Sequence, residues 1–153
     1  KRAGVEDEDA ISVFVEHARD EFIRHFEDFA FSRALEEAWS IVARADKMIS
    51  DAKPWDLAKD EKQRESLNAV LYRAAETLRW LSVLLYPVMP DAAREIYQQL
   101  GLAGDVRGID PRNLKWAELT EGTSIGEVKP IFPRIDKAKT MEEIKSEKSE
   151  VRS

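Results

Sequence analysis

Cysteine is absent from these 153 residues. That excludes disulfides and thiolate-held zinc, and it fits a reducing cytoplasm. Catalytic devices are missing too: there is no glycine-rich phosphate loop, no nucleophile beside a base, and no converging pair of carboxylates. The longest apolar run, Trp80 to Tyr86 with Ser82 inside it, is far short of the roughly 20 residues a membrane helix needs. No signal peptide opens the chain. It starts Lys1-Arg2-Ala3 without an initiator methionine, as a fragment or processed product would. Positive charge is also in deficit, with a formal net of −6. A broad electrostatic grip on nucleic acid needs many Lys and Arg contacts to phosphate, so that mode of binding is excluded.

What is present is an amphipathic chain, 43% apolar and 35% charged. That balance suits one domain with a real core and solvated helix faces. The acid is unevenly spread. Residues 1–40 carry 5 basic against 11 acidic groups, whereas residues 41–80 carry 8 against 7. Four helices are read from periodicity. The first spans Asp9 to Phe29, with Ile11, Phe14, Val15, Ala18, Phe22 and Phe26 in one stripe. Ser32 can cap the second, which runs to Asp51 with Leu35, Ala38, Val42, Ala45 and Ile49 inward. Asp60 and Gln63 have the spacing of a capping box for the third. Its inward face of Leu67, Val70, Leu71, Ala74, Leu78, Leu81 and Leu85 continues to Pro87, with core expected on that one side. The fourth starts at Pro90-Asp91 and stops at Gly101. Beyond it the pattern breaks into turns. Trp116, Leu119, Ile125, Ile131 and Phe132 are expected to anchor an irregular segment that packs back on the bundle. Residues 1–136 therefore read as one all-α antiparallel bundle, and 137–153 as a charged tail or linker.

The stretch Asp46-Lys-Met-Ile-Ser-Asp-Ala-Lys-Pro-Trp55 closes the second helix. Pro54 biases Lys53 away from helical geometry and so sets a corner. A tryptophan held there is a large flat ring with two possible uses. It can close the end of the core, or it can be a platform for an unpaired base, a stack worth about 1–3 kcal/mol. Lys47 and Lys53 are candidate phosphate contacts on a solvated face. His17, Glu21 and His25 have metal-ligand spacing, but they flank the apolar stripe, and the second helix offers only the outward Glu36 and Glu37. They read as a solvated face, with no metal expected. Trp39 and Trp80 sit beside apolar stripes and are read as packing.

Taken in order, several motifs resemble one family: Lys53-Pro-Trp-Asp-Leu-Ala-Lys59, Leu78-Arg-Trp-Leu81, Pro87-Val-Met-Pro90, Leu100-Gly101 and Lys129-Pro-Ile-Phe-Pro-Arg-Ile-Asp136. The family is methionyl-tRNA synthetase, specifically its helical anticodon-binding domain, and the likeness runs from Phe31 to Asp136. It implies that Trp55 stacks on the first anticodon base, with Pro54 holding it. Many family members have asparagine nine residues before that tryptophan, where this chain has Asp46. An amide both donates and accepts to a base edge, whereas a carboxylate only accepts and repels phosphate. The departure puts direct base contact by Asp46 in question. The resemblance further implies tRNA as partner, the catalytic domain of the parent enzyme as neighbour, ATP as the parent's co-substrate with no cofactor in this piece, and a cytoplasmic setting. The HIGH and KMSKS signatures of the class do not occur here, so these residues alone do not activate methionine. The family's upstream helix, which carries an asparagine and an arginine that help read the anticodon, has no match before Ala10. A bundle lacking it is expected to expose an apolar seam and to self-associate. Two other readings stand beside this one. The chain could be the equivalent domain of another class I synthetase, or a helical protein-interaction module that uses its acidic first helix.

Overall fold

The computed structural model describes residues 6–132, with side chains from Ile11 onward, and Met141. The charged tail expected over 137–153 lies outside these residues except for the exposed Met141, as does the end of the motif, 133–136. Four long or medium helices and one short one make up the bundle: α1 Glu6–Glu27, α2 Phe31–Ala52, α3 Pro54–Leu57, α4 Arg64–Leu85 and α5 Pro90–Gln99. No strand occurs among the described residues, and no helix of them is long and apolar enough to cross a membrane. The one-turn α3 is an addition to the four expected helices.

Each helix end has a local cause. α1 stops as Phe29 turns left-handed (φ 57°), and the Ala30 N–H closes back on the His25 carbonyl at 2.8 Å. α2 therefore starts from Ala30 at Phe31, without a side-chain cap. The expected capping by Ser32 is wrong, because Ser32 already lies inside the first turn. Asp60 does cap, but it accepts from the Lys62 N–H and opens a 3₁₀ turn, Glu61–Gln63, ahead of α4. Its own N–H bonds the Leu57 carbonyl, so the reciprocal bond of a capping box has no donor left. α5 ends as expected at Gly101, whose φ is +72°. A Cβ there would lie 1.9 Å from the Ser124 carbonyl oxygen, so both conformation and space demand glycine.

The core gathers Ile11, Val15, Ala18 and Phe22 of α1, Ala34, Ala38 and Ile41 of α2, and Trp80, Leu81, Val83, Leu84 and Leu85 of α4. On α2 the buried line thus runs one residue earlier in phase than the expected Leu35, Val42 and Ile49, which are only half-buried. On α4 the difference is larger. From Glu76 to Leu85 every residue but Leu78 is buried, so this half is covered all round rather than on one side. Conversely Leu71 and Leu78, expected inside, are 51% and 42% exposed.

The second cover of α4 is the irregular segment after α5. Val106 and Leu114 plug into the core, and Asp105 and Asp110 cap the 3₁₀ turns that position them. Side chains on the helices then hold its backbone. Arg19 donates to the Leu114 carbonyl at 2.9 Å and Tyr72 to that of Leu119 at 3.0 Å. Arg79 donates to the Lys115 carbonyl at 2.7 Å and Gln99 to that of Lys129 at 2.9 Å. Trp116 and Leu119 are half-buried as expected, whereas Ile125 and Phe132 are exposed and anchor nothing here. Besides these apolar plugs, the hold on this segment comes from hydrogen bonds to carbonyls, which need no apolar residue to mark them.

Candidate nucleic-acid interface

The corner after α2 is built from backbone geometry. Lys53 adopts the left-handed conformation (φ 47°, ψ 65°) and caps α2 through its N–H to the Ile49 carbonyl at 2.9 Å. Its own carbonyl accepts from Asp56 at 2.8 Å and Leu57 at 3.2 Å, which starts α3 at once. Pro54 takes the first helical position, where no N–H is needed. The extended conformation that a following proline favours gives way here, because the left-handed one closes one helix and opens the next within a single residue. A non-glycine residue held so stores about 1–3 kcal/mol of strain.

The result is that Trp55 lies 56% exposed. More than half of a residue that could have been buried faces solvent, on a one-turn helix rather than in an irregular loop. Asp46, Lys47 and Lys53 are also exposed. Lys47 is engaged with Asp51 at 3.0 Å, and next to the tryptophan Lys59 pairs with Asp56 at 2.7 Å. Lys53 has no ion pair among the described residues. All five expected residues thus occupy the last two turns of α2 and the corner, although nothing bonds Asp46 to Trp55.

Beside this corner a cleft of about 370 Å³ opens between α1, α2 and α4. Arg44, Lys47 and Arg73 line it, and of these only Lys47 stands out in the sequence as a candidate. The available signal was the local excess of base over residues 41–80.

The remaining candidates sort differently. His17 is exposed, Glu21 is half-buried and His25 is buried, so the expected solvated face holds for the first only. His25 falls in the last turn of α1, where the chain reverses into α2. Its Nε2 lies 3.1 Å from Arg24 and 3.9 Å from Glu21. The hydrogen bond from Arg24 holds the Glu21 carboxyl below its ordinary pKa, against a smaller opposing effect of burial. No group of three metal-holding side chains occurs among the described residues. Trp80 is fully buried, with the Arg19 guanidinium 5.2 Å from its ring centre and Trp116 at 6.0 Å. Trp39, also expected to pack, is 52% exposed.

The reason for that exposure is directional. Arg44 reaches over Phe14 of α1, and Trp39, five residues earlier, points about 140° away round α2. On α4, Arg73 shares the cleft with Ile11 of α1, and Leu71, two residues earlier, points about 160° away. Trp39 and Leu71 therefore both point away from α1, and each stays about half exposed.

With this geometry in hand, comparison with known proteins gives a consistent result. The family described as "Anticodon-binding domain of tRNA ligase" matches residues 10–152. The methionine–tRNA ligase of Caldanaerobacter subterraneus subsp. tengcongensis is 37% identical over 144 residues, which is 94% of this chain and 22% of that protein. That of Fusobacterium nucleatum is 40% identical over 109 residues, 71% of this chain and 17% of that protein. The crystal structure of free-state Mycobacterium tuberculosis methionyl-tRNA synthetase superposes with a TM-score of 0.74 at 29% identity, over 83% of this chain and 25% of that one. The chain spans about a fifth of the length of such relatives.

Proposed function

The chain belongs to the anticodon-binding domains of tRNA ligases, on the methionyl-tRNA synthetase branch, and from that membership we propose that it selects the methionine anticodon by stacking an unpaired base on Trp55. The observation that carries the proposal is the half-exposed ring on a strained, proline-fixed corner. A ring buried for stability alone would not need that backbone. Pro54 fixes the ring, and Lys53 and Lys47 take neighbouring phosphates, Lys47 by exchanging Asp51 for RNA. With a net charge of −6, selectivity comes from bases splayed onto the protein rather than from backbone attraction. ATP-dependent methionylation belongs in this reading to the parent ligase, in the cytoplasm. This domain contributes tRNA selection and no cofactor chemistry. A direct test is titration with a stem-loop carrying the methionine anticodon. The Trp55 indole N–H resonance should shift and its fluorescence should fall, and neither should occur with a scrambled loop. An indole that stays unperturbed at saturating RNA removes Trp55 from the site.

Asp46 is the informative neighbour, because its carboxylate faces solvent on the helix that leads to the corner. Asp46→Asn removes one negative charge beside the RNA path. Binding should tighten a few-fold at low salt, with the gain fading as salt screens it. Unchanged affinity across the salt range places Asp46 away from the RNA.

The exposed apolar side chains of α2 and α4 extend the proposal to self-association. Trp39, Leu71 and Leu78 form no part of the corner, yet they expose large apolar area on adjacent helices. Apolar patches of several hundred Å² commonly mark interfaces. Sedimentation velocity should show a weight-average coefficient that rises with concentration and falls back in Leu71→Lys. A concentration-independent monomer contradicts this.

A further inference from the structure

Lys53 is the single residue between Ala52, the last of α2, and Pro54, the first of α3. One set of backbone angles, φ 47° and ψ 65°, therefore serves as the end of one helix and the start of the next. Phe29 is also left-handed, but a residue on either side separates it from its helices. Two local preferences oppose the Lys53 conformation. A left-handed residue with a Cβ is strained, and a following proline favours the extended region, at ψ of about 120–160°. Where α5 closes with the same hand, the chain uses glycine, Gly101 at φ +72°. Glycine would close α2 with less strain, so the turn alone does not account for a lysine.

What the strained angles do is visible one residue further on. α3 is a single turn, too short to keep a direction of its own. The Lys53 carbonyl accepts from the N–H groups of Asp56 at 2.8 Å and Leu57 at 3.2 Å, the two residues after Trp55. Leu57 is half-buried and α3 packs on α4, so the turn is seated as well as started. Swinging ψ of Lys53 into the extended region carries its carbonyl away from both donors. α3 then loses its first bonds, and the 56% exposed Trp55 loses its fixed direction. Pro54 does not prevent this, because its ring fixes only its own φ.

We propose that Lys53 is a positioning residue: its left-handed backbone, and not its ammonium alone, aims the Trp55 ring at the base that stacks on it. The proposal rests on the base-stacking reading of Trp55 and deepens it. Position 53 is then sensitive to residue type in a way that charge does not predict. Glycine enters the left-handed region freely, alanine with strain, and β-branched valine hardly at all. All three lack the ammonium.

The test compares Lys53→Gly, Lys53→Ala and Lys53→Val in the whole chain, each titrated with the anticodon stem-loop. The three lose the same charge, so each should bind a few-fold more weakly at low salt, and that common loss should fade as salt screens it. At high salt the glycine variant should match the wild-type protein. The valine variant should stay about five- to tenfold weaker, with alanine between. Before RNA is added, the Trp55 indole N–H resonance should keep its wild-type position in the glycine variant and move in the valine variant. A lysine that merely stabilised the fold would change the urea midpoint and neither the affinity of the folded protein nor the indole. If the valine variant does not fold, the difference between alanine and glycine at high salt decides. Equal affinities across the series at high salt, or a valine loss with the free indole unmoved, overturn the proposal and leave the Trp55 reading intact. If the wild-type indole ignores saturating stem-loop, the Trp55 reading fails and this proposal with it.

Discussion

Arg79→Ala will destabilise the domain by about 3–5 kcal/mol, a large share of the roughly 5–15 kcal/mol that holds a typical domain folded. Glu76, with which it pairs, is fully buried in the middle of α4. Arg79 grips it with two hydrogen bonds, Nε to Oε2 at 2.9 Å and Nη2 to Oε1 at 2.7 Å. Burial by itself would lower the Arg79 pKa. The hydrogen bond and charge of Glu76, with the charge of Glu118, outweigh it and the shift is upward. The same pair fastens the irregular segment, because Arg79 donates to the Lys115 carbonyl and Glu76 accepts from the Glu118 N–H at 3.1 Å. Removing the guanidinium leaves a carboxylate with one backbone donor and no counter-charge, and the segment loses its hold on α4. The damage comes from orphaning a charge, so removing both partners should cost less. Glu76→Leu with Arg79→Met lets the Lys115 and Glu118 backbone, which belong to exposed residues, turn to water. Urea melts should show the double variant more stable than Arg79→Ala by about 1–3 kcal/mol. Additive losses would mean that the two side chains act separately.

That pair also shows where the sequence runs out. The all-helical architecture, the corner at Pro54 and the stop at Gly101 are all legible, because proline, glycine and apolar period act locally. What covers each helix is not. α4 carries its clearest leucine stripe on Leu67, Leu71, Ala74 and Leu78, and the natural expectation puts that stripe inside. The residues actually buried include Arg73, Glu76, Thr77, Arg79 and Ser82. Polar residues mark burial poorly in any hydrophobic pattern, although each can be buried once its bonds are made. Thr77 and Ser82 bond carbonyls of their own helix, at 2.8 Å and 2.6 Å. The stripe that the pattern does show stays partly bare, because α1 lies on the other side. At the candidate site the conspicuous residues, Trp55 and Pro54, could be read from the chain. Arg44 and Arg73 could not, since they sit on different helices and meet only across the cleft.

Trp55→Ala carries the largest functional expectation. Base stacking on an aromatic ring is worth about 1–3 kcal/mol, so the affinity of the methionine stem-loop should fall by about fivefold to more than a hundredfold. The fold should survive, because the ring is already 56% exposed and α3 is begun by Pro54 and the Lys53 carbonyl rather than by the indole. In the parent ligase the same change should lower kcat/KM for tRNA by a similar factor while leaving tRNA-independent activation of methionine, followed by pyrophosphate exchange, within about twofold. The split matters, because loss of both would indicate a folding or domain-docking defect rather than a lost stack. Trp55→Phe should fall between, since any aromatic face stacks but a smaller one overlaps less. Trp55→Leu supplies the control for bulk. It retains apolar volume at the corner without a π face, so it should resemble the alanine variant if stacking is the cause. If leucine performs as well as phenylalanine, the ring is only a hydrophobic contact, and anticodon selection must rest on residues outside this corner.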